Sequence, residues 1–200
     1  MKLLCVFFAF FIALGSVLAQ DEPAPDAQMP ADVAAFVYSR AKEALVTKMP
    51  AKEGFPTLQP KNLPANMLDT LRKYDWVALG NYYYGNWTFS DDWSVNQNNF
   101  QVERYLPNGL HDYYVCSKTN SAPTLTFNYR PRIMNIRVEK IGQFHYIVND
   151  KKGENSAYGR IISYQDGILV YDVTETGTLQ DAATSVDRFR SVYLAIPKKF

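Results

Sequence analysis

The chain has 200 residues, 47% of them apolar and 20% charged, which excludes a disordered or collagen-like polymer and suits one globular domain with an appendage. Lys and Arg number 21 against 20 Asp and Glu; so neutral a chain lacks the cationic surplus that binding nucleic acid requires. The 14 Tyr, 12 Phe and 3 Trp favour strands around an aromatic-lined interior.

Lys2, the apolar run 3–14 and Val17-Leu18-Ala19 have the form of a signal peptide, with cleavage expected after Ala19. The run is shorter than the roughly 20 apolar residues of a bilayer span. A secreted, extracellular protein is therefore expected, with no membrane-spanning segment once residues 1–19 are removed. Cys5 leaves with that segment, so Cys116 stands alone and no intramolecular disulfide forms. It reads as a small buried hydrophobe, with a reactive thiol or an intermolecular bridge as alternatives. Asn86-Trp87-Thr88 is a glycosylation sequon, used if the source is eukaryotic and Asn86 points outward.

Residues 20–30 carry three prolines and three acids and are expected to be disordered. Over 31–48, Val33, Phe36, Val37, Ala41, Ala44 and Leu45 recur at helical spacing, which predicts an amphipathic helix and a possible surface for a protein partner. Pro50, Pro56, Pro60 and Pro64 interrupt regular structure until a short helix over 65–73. Residues 31–79 thus read as a helical leader and Pro-rich linker, and 80–200 as the main domain.

Eight strands are predicted, at 82–89, 100–106, 110–117, 124–129, 133–141, 143–149, 157–164 and 168–174, rich in Tyr, Val, Ile and Phe and cut by short turns. Pro107-Asn108-Gly109 and Asp166-Gly167 read as hairpin turns in which Gly supplies positive φ. Thr178 with Asp181 resembles a helix cap, and a helix to about 191 is favoured over a ninth strand at 190–196. Short links make sequential strands antiparallel neighbours. The expected fold is mainly β: an eight-stranded antiparallel up-and-down barrel with an N-terminal amphipathic helix and a C-terminal helix, closure removing the two sheet edges.

Several pieces resemble the lipocalins. Gly85-Asn86-Trp87 resembles that family's G-x-W. The stretch 100–115, with Tyr105-Leu106-Pro107-Asn108-Gly109 at its turn, is similar to its second and third strands. Residues 142–150, followed by Ala157-Tyr158 and Ile161-Ile162, resemble the region of its T-D-Y motif, and Thr178-Leu179 is similar to the start of its closing helix. The resemblance covers 80 to about 193 and implies Gly85 and Trp87 at the base of a barrel that carries a small hydrophobic ligand. Asp150 is followed by Lys151 where the family has Tyr, Tyr171-Asp172-Val173 lacks the family's Arg, and the family's disulfides are missing.

Alternate residues of a strand share a face. One face gathers Val102, Arg104, Tyr114, Cys116, Phe127, Tyr129, Val138, Tyr146 and Val148 as candidate ligand-binding residues, around a cavity or a solid core. Arg104 either meets an acidic ligand head or lays its stem on the barrel with its head in water. His111-Asp112 reads as a solvated strand start, and His145 as facing the outer layer. No nucleophile turn, C-x-x-C or H-E-x-x-H is present, and Asp91-Asp92 reads as a polar loop, so neither metal nor cofactor is expected. The expected function is secreted carriage of a fatty acid, lipid, pigment or similar molecule. The alternatives are an isomerase-like enzyme using Cys116, or a structural or interaction protein with a filled barrel.

Overall fold

A computed structural model describes residues 23–24, 26–49, 63–83, 88–90, 98–118, 121–130, 134–151, 156–176, 178–184 and 189–199. Their elements run in the order α1 (Ala31–Thr47), α2 (Met67–Lys73), β1 (Tyr74–Tyr83), β2 (Thr88–Ser90), β3 (Asn99–Tyr105), β4 (His111–Ser117), β5 (Thr124–Tyr129), β6 (Met134–Ile141), β7 (Phe144–Lys151), β8 (Ser156–Gln165), β9 (Ile168–Thr176), α3 (Leu179–Thr184) and β10 (Phe189–Pro197). The fold is mainly β. One antiparallel sheet has the order β5-β4-β3-β1-β10-β9-β8-β7-β6, and the short β2 pairs with β1 off this path.

Each consecutive pair on that path lies side by side except β5 and β6, and the last strand returns to the first. The expected eight-stranded closed barrel is therefore corrected to a nine-strand sheet that does not close. Its two edges are β5 and β6, neighbours in the chain but opposite ends of the sheet. Both edges have backbone partners, which satisfies groups that would otherwise invite association. Met29 donates its N–H to the Leu125 carbonyl at 2.8 Å, and Phe127 donates to Ala27 at 2.8 Å. Across the seam, the Ile136 N–H reaches the Gly109 carbonyl of the β3–β4 turn, also at 2.8 Å.

Two further expectations are corrected. The first full strand begins at Tyr74 within the expected linker, so the β domain starts earlier than residue 80. In β1, Trp76, Val77, Ala78 and Leu79 are all buried, and a run buried on both faces carries no period by which to tell strand from helix. The expected C-terminal helix is a single short turn, α3, and Phe189–Pro197 is a strand between β1 and β9. Val192, Leu194 and Ile196 face one side of it and Ser191 and Tyr193 the other, a period of two that pairing on both sides makes decisive.

The local signals at the caps and turns act as chemistry dictates. The Asp181 N–H meets Thr178 Oγ1 at 3.1 Å, and the Thr178 hydroxyl donates to Asp181 Oδ2 at 2.6 Å. Asn66 caps α2 by accepting from the Asp69 N–H. Asp166 and Gly167 have φ of 52° and 79°, the pair of positive values that a tight hairpin of the proper twist demands.

Each face of the sheet has its own cover. The α1 stripe of Val33, Ala34, Val37, Ala41 and Ala44 packs on Val77, Phe100, Val102, Tyr114, Cys116, Leu125, Phe127, Val170, Val192 and Leu194. Its alanines let the helix lie close to the sheet. On the opposite face Met67 and Leu71 of α2 join Trp76, Ala78, Tyr105, Ile136, Ile147, Ile161, Leu169 and Tyr193. The Trp76 indole N–H donates to the Leu71 carbonyl at 2.8 Å, tying α2 to that side. A satellite cluster of Tyr146, Val148, Tyr158 and Ala182 lies beneath α3.

Candidate binding site

The face opposite α1 lines a half-open cavity of about 300 Å³. His111 and Tyr113 of β4 and Ala157 and Gly159 of β8 all line it. Those strands are five steps apart in the sheet, about 24 Å if the sheet were flat. A space so small is bounded by both only because the sheet coils, so this face is the inner one. Gly159 contributes to the shape: a Cβ there would lie 3.0 Å from the Tyr171 ring, so the missing side chain leaves that ring its place.

Glu103 is the chemical centre of the cavity wall and is 4% exposed. Tyr193 donates its hydroxyl to Glu103 Oε1 at 2.6 Å, Gln101 Nε2 donates to the same oxygen at 3.3 Å, and Tyr105 donates to Oε2 at 3.2 Å. His111 Nε2 lies 3.1 Å from Oε2, off the line of a good hydrogen bond, and Nδ1 has no hydrogen-bond partner among the described residues. The His111 ring is held between Tyr105, stacked at 4.5 Å, and Tyr113 at 4.2 Å. Tyr171 stacks on Tyr193 at 5.3 Å. Burial, with the Glu103 charge behind it, pushes the phenols of Tyr105, Tyr171 and Tyr193 well above their ordinary range. These tyrosines remain neutral hydrogen-bonding groups and aromatic walls.

No family model matches the chain, and no curated protein or solved structure is similar to it.

The residues expected to bind a ligand are distributed over both faces. Val102, Tyr114, Cys116 and Phe127 share one face, as alternation predicts, and it is the face that α1 covers. Phe127 and Tyr129 part company because the register shifts between Tyr113 and Tyr114. Tyr129 then stacks on Tyr113 at 4.7 Å. Val138 packs with the inner cluster, whereas Tyr146 and Val148 lie under α3. Gly85, Asn86 and Trp87, and the Asp91-Asp92 loop, lie outside the described residues.

Arg104 does not extend its head into water. It is nearly buried on the α1 face and makes a two-pronged pair with Asp75, both bonds 2.7 Å, from the strand position directly opposite. Cys116 is fully buried with its sulfur 3.7 Å from the Ala34 carbonyl, and burial pushes its thiol up to about 12. It does not line the cavity, so thiolate chemistry there has no support from this residue.

The polar centre was missed because its members look ordinary in sequence. His111 and Asp112 are both 3% exposed, not solvated. Asp112 turns to the α1 face and pairs with Arg130 at 2.5 and 3.1 Å, while His111 turns inward. His145 shares strand parity with Ile147 and Asn149, on the inner side. The available signal was the alternation Gln101, Glu103, Tyr105 along β3, the face complementary to the one favoured for its apolar residues.

Proposed function

We propose that this protein is a secreted binding protein that holds one small molecule in the inner cavity, by partition into a preformed site with no chemical step. The observation that carries this reading is the cavity itself: about 300 Å³, walled by tyrosines, with one hydrogen-bonded carboxylate fixed in its side. That volume is at the small end of ligand pockets and suits a compact ring system better than a long acyl chain. Secretion is supported by the Lys2, apolar run and Val17-Leu18-Ala19 pattern. Among the described residues no helix is long and apolar enough to cross a membrane. A distant relation to the lipocalins belongs to the same proposal; what supports it is the meander in which the last strand returns to the first.

The test is calorimetric titration of the purified protein with small aromatic probes. One saturable site is expected, and Ala157→Phe, which fills the cavity from its wall, should abolish binding while the circular dichroism spectrum is unchanged. Binding that survives the filled cavity would refute the reading.

A further inference from the structure

We propose that the ligand of this cavity is a protonated amine on a compact aromatic body, its ammonium group facing Glu103. The inference rests on the reading of the cavity as a binding site and names the chemistry it selects.

Charge pairing differs between the two faces. On the α1 face each buried carboxylate among the described residues has an arginine: Asp75 has Arg104, Asp112 has Arg130, and Asp172 has Arg190 with Oδ1 at 2.5 Å and Arg160 at 3.1 Å. On the inner face no Lys or Arg among the described residues lines the cavity, and Glu103 accepts hydrogen bonds from two phenols and an amide, with the His111 imidazole beside it. Phenol and amide donors hold a carboxylate in place without cancelling its charge, and a buried carboxylate with no Lys or Arg against it favours a cation from outside.

The unpartnered atoms point to the same chemistry. With Nε2 of His111 facing a carboxylate oxygen at 3.1 Å, the ring proton belongs on that nitrogen, because a bare nitrogen there would meet the oxygen lone pair to lone pair. Nδ1, on a residue 3% exposed, is then an acceptor without a donor among the described residues, and Asn149 Oδ1, which lines the same cavity, is another. Glu103, His111 and Asn149 all accept; an ammonium group only donates. Tyr105, Tyr113, Tyr171 and Tyr193 line the same cavity, and aromatic walls favour a cation over an anion. Among the described lining residues an anionic ligand would meet one carboxylate and no Lys or Arg.

Three probes sharing an indole ring separate the cases at pH 7: tryptamine, tryptophol and indole-3-acetate, titrated calorimetrically into the mature full chain. Tryptamine is expected to bind at least ten-fold tighter than tryptophol, with indole-3-acetate weakest. Glu103→Gln should bring tryptamine down to the level of tryptophol and leave tryptophol unchanged. Equal affinities of tryptamine and tryptophol in the unaltered protein, tighter binding of indole-3-acetate, or a preference that survives in a folded Glu103→Gln, would overturn the assignment while leaving the cavity a binding site. Failure of all three probes would remove the binding-site reading and this inference with it. The comparison among probes uses the unaltered protein, so the test stands even if the variant does not fold.

Discussion

The Tyr193 hydroxyl lies 2.6 Å from Glu103 although ninety residues separate them in sequence and β1 lies between their strands. The reach across β1 is open because the residue opposite Tyr193 on that strand is Ala78, whose small side chain leaves the phenol its path to Glu103. This contact joins the two halves of the meander at the cavity wall. Tyr193→Phe should destabilise the protein by about 1.5–3 kcal/mol, the range for a hydrogen bond to a charged group. Urea unfolding followed by circular dichroism measures the difference, and an unchanged midpoint would count against the contact.

Asp75 and Arg104 pair directly across β1 and β3 with both partners nearly buried. Asp75→Asn strands the guanidinium charge without its main counter-ion, so a loss of about 3 kcal/mol or more is expected in urea unfolding. Replacing both residues together, Asp75→Leu with Arg104→Met, should recover most of that loss, because an apolar pair carries no desolvation penalty. A double variant as unstable as the single one would show that the pair serves something beyond charge balance.

Cys116 lies under α1 with its thiol raised to about 12 by burial. Iodoacetamide at pH 8 should leave the native protein unlabelled over hours and label it fully in denaturant. Mass spectrometry reads the adduct, and rapid labelling of the native state would place this thiol in contact with solvent.

Tyr105, Tyr171 and Tyr193 have phenols raised by burial and by the Glu103 charge. Above an ordinary tyrosine value of about 10, the unfolded chain releases protons that the folded one retains. Stability is therefore present in full below about pH 10 and falls as pH rises above it. A spectrophotometric titration should show these three ionising only as the protein unfolds. Smooth titration of all tyrosines near pH 10 in folded protein would contradict the burial.

Strand content, the Asp166-Gly167 turn, the Thr178–Asp181 cap and the α1 stripe were legible in the chain alone, since each depends on neighbours within a few residues and on their intrinsic backbone preferences. Face membership was legible in part: Val102, Tyr114, Cys116 and Phe127 do share a side. Which side faces inward was not, because both sides are buried, one by α1 and one by coiling, and alternation is blind to that difference. Tyr129 changed sides through a register shift that leaves no mark in composition. The β10 strand, the open seam between β5 and β6, and the meeting of Glu103, His111 and Tyr193 depend on partners far along the chain. Periodicity orders a segment against itself; the identity of its neighbours is set by long-range pairing, and in this protein that pairing assembles the cavity.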